Sequence, residues 1–401
     1  MPVEIDRSRY MEMLSMSSGS TLESKGSGNV PSSASVDDQI RLTRSELHRI
    51  VRSYLEDDPK LRKLADEIAD RGAKPLRWLH GIDDPSEAPA PGDLEAIVRS
   101  DGSRPSFLVR NGVVDQLSFP AGEWKSVLND QADKLQSAIS CVGRIDKSGQ
   151  HVGTGYRIEQ NHILTNRHVL QDLGVEGADG RWTLHAETTI DFGYEFRGRT
   201  SVGRRPLKSV AFAASRSIDP RNIDHTKLDL VVIELDGVPE ESEKTHLPID
   251  TSTDWMESSP YIFTIGYPGD PGIKAYNLSI LERLFQSQFG CKRFAPGKVL
   301  GPLDPGRPWM STHDATTLPG SSGSVVLIAG RPTLAVGLHY GGSPSRENYA
   351  HILGRVLETP DAATQKPLSE ILRSRGVPLI DPLSPHGKSS PGPLNPQASV
   401  R

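Results

Sequence analysis

Cysteine is scarce: Cys141 and Cys291 are the two in 401 residues, too few for a disulfide framework. Long apolar runs are missing too, and no stretch approaches the ~18 residues of a membrane span. Neither sign of charge dominates. With 46 basic and 51 acidic side chains the net charge is −5, so non-specific nucleic-acid binding is not the default function. The opening MPVEIDRSRYMEMLSMSS carries early acids and no apolar core, unlike a secretory signal. The expectation is a soluble, cytoplasmic chain with no nucleic-acid or membrane partner. Hydrophobic residues make up 35% and aromatics 6%, enough for one sizeable core but lean for a chain of two or three domains.

Glycine (37) and proline (31) are what the chain has in excess, favouring short strands joined by turns. Residues 1–37 are rich in Ser and Gly without apolar periodicity and are expected to be disordered. A helical, adaptor-like region is expected over 38–100. Thr43-x-x-Glu46 has the pattern of a capping box, with Leu47, Ile50, Val51 and Tyr54 on one face. Asp58-Pro59 starts a second helix through Leu61, Leu64, Ala65 and Ile68, with Gly72 as its expected stop. A third piece is expected at Leu76, Trp78 and Leu79, and a fourth at Leu94, Ile97 and Val98. Packing of these helices directly on the main domain is the plain alternative to an adaptor. Residues 101–132 read as a linker.

From 133 to 380 the texture changes. Short β-branched runs bounded by turn residues recur at Ala138–Ile145, Gly155–Ile158, His162–Thr165, Leu228–Leu235, Tyr261–Gly266, Ser324–Ile328 and Leu334–His339. They indicate an all-β core of antiparallel barrel or sandwich type. No βαβ alternation is present, which argues against a doubly wound sheet. One late helix is expected over Pro367–Arg375, then a disordered tail over 381–401.

Three segments inside this region carry chemistry. Gly153-Thr154-Gly155 is followed by Thr165-Asn166-Arg167-His168-Val169. Next comes Asp229 at the head of Leu230-Val231-Val232-Ile233, and then Gly320-Ser321-Ser322-Gly323-Ser324. A serine hydroxyl needs a base to become a nucleophile, histidine is the usual base near neutrality, and a buried carboxylate fixes its tautomer. His168, Asp229 and Ser322 supply these groups, and the amides of Gly320 and Ser322 lie where a sharp turn can aim both at one oxyanion. Each segment alone has a bland explanation; their order within an all-β texture makes coincidence improbable. Asp224, the other nearby carboxylate, lacks a following apolar strand. The twelve histidines form neither H-E-x-x-H nor a Cys/His ligand pattern, so no metal and no other cofactor is expected.

Together these segments resemble the trypsin-like (chymotrypsin-fold) serine peptidases, above all their bacterial glutamyl endopeptidase branch. The resemblance spans about 135–375 and rests on the GTG strand, the T-x-x-H-V loop, the D-L strand and the G-x-S-G-S loop. It implies two antiparallel six-stranded β-barrels with the active site between them, a helical N-terminal region and a C-terminal helix. In that reading His168 is the general base, Asp229 orients it and Ser322 is the nucleophile. Thr264–Gly269 resembles the opening of the second barrel, and Asn348-Tyr349-Ala350 the last strand. Arg167, Ser321 and Val325 depart from common residues of the family without removing a catalytic group.

Val336-Gly337-Leu338-His339-Tyr340-Gly341-Gly342 resembles the pocket wall of the glutamyl branch. There, the histidine and a threonine five residues before the nucleophile hold an acidic side chain. The matching positions are His339 and Thr317, with Tyr340 and Gly341 beside them. Leu318 stands in place of a second threonine. The implied activity is a serine endopeptidase acting on protein or peptide substrates, with acidic residues as the expected preference. Two alternatives stay open. One is a signalling or defence module whose N-terminal helices recruit a partner and whose output is proteolysis; the other is a non-catalytic pseudo-protease that only binds.

Overall fold

A computed structural model describes residues 33–54, 56–79, 81–83, 103–119, 121–122, 124–196, 203–219, 222–239, 244–269, 289–300, 306–307, 309–343 and 347–382. Ser33–Tyr54 forms α1 and Pro59–Leu79 forms α2. Thr43 therefore sits inside a helix rather than at its start. The reason is periodicity upstream of it: Val36, Ile40, Thr43, Leu47 and Ile50 fall on one face, and burial of that face outweighs a local capping pattern. Helix α1 also claims Ser33–Asp37, which were expected to be disordered.

Asp58 caps α2, its carboxylate accepting from the Lys60 N–H at 2.7 Å. Gly72 does not end α2, and the helix runs on through Pro75 to Leu79. A glycine inside a helix costs about 1 kcal/mol, and here the apolar face resumes beyond it with buried Leu76 and Leu79. The expected third piece is thus the end of α2, and the fourth, at Leu94–Val98, lies outside the described residues.

The 101–132 stretch is not a linker. Phe107–Arg110 (β1) and Val113–Asp115 (β2) pair as a hairpin turned by Asn111-Gly112, both at positive φ. Trp124–Asp130 (α3) and Ala132–Ser140 (α4) follow. Helix α4 buries Leu135, Ala138 and Ile139, so the strand expected at Ala138 starts only at Val142.

Val142–Lys147 (β3), Gln150–Glu159 (β4) and His162–Thr165 (β5) lead into Arg167–Leu173 (α5). Gly174–Glu176 (β6) and Trp182–Leu184 (β7) form a small side ribbon. Thr188–Asp191 (β8), Arg204–Ala213 (β9) and Val231–Leu235 (β10) complete a closed six-stranded antiparallel barrel in the order β10-β5-β4-β3-β8-β9. The continuous apolar run of β10 follows from cover on both faces. Val231, Ile233 and Leu235 join Ile145, Ile163 and Ile190 in one cluster, while Val232 joins Leu164, Phe212 and Phe263 in another.

The remaining strands make one ten-stranded sheet. Ile249–Asp250 (β11), Trp255–Ser258 (α6), Tyr261–Gly266 (β12), Arg293–Lys298 (β13), Met310–His313 (β14), Val325–Ile328 (β15), Arg331–Ser343 (β16) and Glu347–Ile352 (β17) follow in the chain. The sheet order is β14-β17-β16-β15-β12-β13-β1-β2. Its first six strands curl until β13 and β14 meet through a single bridge, Val299–His313, flanked by Leu300 N–H to Thr312 O at 2.9 Å and Asp314 N–H to Lys298 O at 3.1 Å. Of the two expected barrels, one is therefore a closed ladder. The other is a sheet that recruits β1 and β2 onto its edge strand, because Phe107 pairs with Phe294. Leu353–Val356 (α7), Leu368–Ser374 (α8) and Leu379–Ile380 (β18) close the described chain.

Candidate active site

Strand β5 ends at Thr165, and Asn166 stays extended as the N-cap of α5, which places His168 in the first helical turn. Asp229 precedes β10, beside β5 in the barrel. Its carboxylate is fully engaged: Oδ1 accepts the His168 backbone N–H at 2.9 Å, and Oδ2 meets His168 Nδ1 at 2.5 Å. The backbone of Asp229 is pinned as well, its carbonyl accepting from Asn166 Nδ2 at 2.8 Å and its N–H donating to His351 Nε2 at 3.0 Å. With Nδ1 facing a carboxylate, the His168 proton sits there and Nε2 keeps its lone pair. Burial works against a charged ring, yet the charge and hydrogen bond of Asp229 outweigh it and raise the His168 pKa above its ordinary value.

Asp224, by contrast, is exposed and spends its carboxylate on the Thr226 N–H and hydroxyl. Arg167 turns away from the site. Its buried guanidinium bonds Ala214 O, Gln171 Oε1 and Glu176 Oε2, each at 2.6 Å, and so ties α5 to the strands around it.

The loop carrying Ser322 is stitched to both sheets. Ser322 O accepts from Thr154 N–H in β4 at 2.8 Å, and Gly323 N–H donates to His339 O in β16 at 2.9 Å. Two glycines make this approach feasible. A Cβ on Gly323 (φ +88°) would lie 1.8 Å from Thr154 O, and one on Gly153 would press between Val169 and Ser322 O. The segments of His168 and Ser322 thus meet across β4. Among the described residues the Ser322 hydroxyl makes no hydrogen bond to the His168 ring.

The peptide planes before Gly320 and Ser322 are held by their carbonyls. Pro319 O accepts from Gly269 N–H at 2.6 Å, and Ser321 O accepts from the N–H (2.9 Å) and hydroxyl (2.6 Å) of Ser324. A trans peptide points its N–H opposite its carbonyl, so the Gly320 and Ser322 amides are turned away from these partners. Among the described residues neither amide has an acceptor. Thr154 Oγ1 further holds Gly320 O at 3.0 Å, and the half-buried His151 ring packs under Gly320.

At the pocket wall Thr317 and His339, expected to act together, each have a partner of their own. Thr317 Oγ1 donates to Asn348 Oδ1 at 2.6 Å, and Asn348 Nδ2 donates to Ala315 O at 2.8 Å. His339 is buried, with Nδ1 3.4 Å from His313 Nε2. Burial, with His313 and His168 adding to it, pushes His339 well below its usual pKa, and burial takes His313 to about 3. Both rings are therefore neutral near pH 7, and His339 is available there as a neutral donor. Tyr340 bonds His225 Nδ1 through its hydroxyl at 2.8 Å and stacks on His351 at 4.2 Å. Gly341 lies half-buried against Ile223.

Asn166, His313, Asn348 and His351 complete the arrangement without having been expected. Burial takes His351 to about 4, so it is neutral and can accept the Asp229 N–H. Burial raises the Cys141 thiol to about 11, which removes it as a thiolate nucleophile. Among the described residues no group of three or more His, Cys, Asp or Glu side chains is placed to hold a metal ion, and no helix is long and apolar enough to cross a membrane.

A family model for the trypsin-like peptidase domain matches residues 153–332, a span containing His168, Asp229 and Ser322. A probable serine protease of Lysobacter enzymogenes is 30% identical over 283 residues, covering 64% of this chain and 71% of that protein. Among solved structures, human heparin binding protein aligns at 18% identity with a TM-score of 0.39, over 54% of this chain and 88% of that one. A Glu endopeptidase in complex with MPD aligns at 18% identity and TM-score 0.39, over 59% and 90%.

Proposed function

Because this chain belongs to the trypsin-like serine peptidases, we propose that it is an endopeptidase in which Ser322 attacks the peptide carbonyl. His168 Nε2 takes the Ser322 proton as the new C–O bond forms. The oxyanion then rests on the N–H groups of Gly320 and Ser322. His168 returns the proton to the leaving amine as the C–N bond breaks, and a water deprotonated by the same nitrogen hydrolyses the acyl-enzyme. Asp229 stays ionised throughout and steadies the imidazolium. The carrying observation is the double grip of one carboxylate on the ring and the backbone of His168. The bond between Ser322 and His168 forms with substrate in place, since catalytic hydrogen bonds are often loose in empty sites.

Cleavage after acidic residues is part of the same proposal. A neutral His339 ring can still donate to a carboxylate through a charge-assisted bond, and the Thr317 hydroxyl is one exchange of partner away from doing so.

Replacing Ser322 by alanine should abolish labelling by a fluorophosphonate and lower kcat/KM by at least about 10⁴-fold with Tm preserved. Wild-type turnover in that variant would remove Ser322 from its role. Mass spectrometry of a digested, denatured proteome should find cuts after Glu and Asp. Cuts after basic or aromatic residues would overturn the pocket assignment.

A further inference from the structure

The most deeply buried ion pair among the described residues joins positions 210 apart in the chain. Arg104 Nη2 lies 2.6 Å from Asp314 Oδ2, with both side chains 1% exposed. Arg104 precedes β1 and belongs to the segment upstream of the first barrel. Asp314 follows β14 and opens the stretch Asp314-Ala315-Thr316-Thr317 that leads to the Ser322 loop.

Every residue of this stretch is fixed. Asp314 Oδ1 accepts the Lys298 N–H at 2.7 Å. Ala315 presses on β13 so closely that a Cβ on Gly297 would lie 2.5 Å from its nitrogen. The Thr316 hydroxyl donates to the Arg104 carbonyl at 2.7 Å, and Asn348 holds Ala315 O and Thr317 Oγ1. Arg104 thus grips the stretch twice, by its guanidinium and by its backbone. The upstream segment is anchored in turn: Trp124 Nε1 donates to Ser103 O at 3.2 Å, and Arg293 Nη1 to Ser106 O at 2.6 Å.

We propose that Arg104 is a positioning residue for substrate binding, the upstream Ser103–Phe107 segment acting as a strap that sets the place of 314–317 in the pocket wall. The inference rests on the peptidase reading and deepens it. A buried pair of this kind is weak evidence for stability, since an apolar or neutral replacement of both partners is often tolerated. Its distinctive effect is on where Thr317 sits, and therefore on how peptides bind.

The test uses the full chain. The double variant Arg104→Met with Asp314→Asn removes both charges and keeps an acceptor for the Lys298 N–H. Thr316→Val removes the second grip and leaves the ion pair intact. A fluorophosphonate bears no peptide side chain, so its rate of reaction with Ser322 reports the nucleophile and not the pocket. The double variant should melt within a few degrees of wild type and label within about twofold of it, while KM for a cleaved peptide rises by roughly tenfold with little change in kcat. Thr316→Val should raise KM by about threefold.

An unchanged KM in a folded double variant overturns the strap, as does a loss in which labelling falls as far as peptide turnover. Should the double variant fail to fold, Thr316→Val decides: an unchanged KM there overturns the proposal. A wild-type chain that neither labels nor cleaves would sink the peptidase reading itself, an outcome separate from active wild type with indifferent variants.

Discussion

His168 is held between opposing influences, and its titration reports which of them wins. Burial favours the neutral ring, while Asp229 favours the charged one and prevails, leaving the pKa above the ordinary 6.5. A general base must be neutral to take a proton, so kcat/KM should rise with pH through an inflection above 6.5. Asp229→Asn removes the charge but not the burial. Its inflection should therefore move down, and the rate should fall by about 10⁴-fold as the tautomer is lost. A pH–rate profile of both proteins checks this, and an unmoved inflection would mean that Asp229 does not govern the ring. His351 and Asn166 act one step further out, holding the backbone of Asp229 by its N–H and carbonyl. Neither was legible in the sequence. His351 stands inside the apolar run Tyr349–Leu353, where a histidine carries no signal until its partner, 122 residues away, is known.

At the scale of elements, legibility followed the reach of the force that sets each boundary. Strands β5 and β12 begin and end where Asn-Xaa or Pro-Xaa turns and β-branched runs place them, at His162–Thr165 and Tyr261–Gly266. Such boundaries are local. The start of α1 and the end of α2 are not: Thr43 and Gly72 both carry local punctuation, and the burial of Val36, Leu76 and Leu79 overrides it. The β1–β2 hairpin is a different kind of omission. Asn111-Gly112 between Phe107–Arg110 and Val113–Asp115 is among the strongest short-range hairpin signals, but strands of four and three residues are too short to show a clear alternation around it. The candidate triad was legible because its three groups sit in motifs whose chemistry is local. The neutrality of His339 was not, since it comes from burial by distant parts of the chain, with His313 from another strand adding to it.

The whole molecule raises the question of what the N-terminal helices are for. An adaptor would be expected to keep its own core, but Leu47, Ile50, Val51, Ala65 and Ile68 share one apolar cluster with Phe107, Phe119 and Trp124. Arg49 adds a bond to Leu117 O at 2.6 Å, from α1 to the loop after β2. Those partners are continuous with β13 and hence with the sheet that carries the Ser322 loop. If the helices are part of this core, a cavity in α1 should weaken the entire peptidase. Leu47 is fully buried, and Leu47→Ala should cost about 2–5 kcal/mol. Trp124 lies in the same cluster on the sheet side, so its fluorescence and the loss of peptidase activity on heating should shift together, in one transition. A variant whose helices melt early while Trp124 and activity keep the wild-type Tm would mark the helices as a separate unit, free to serve a partner. A shared transition makes them a structural extension of the peptidase, and any partner reaching α1 would act on stability before it acted on catalysis.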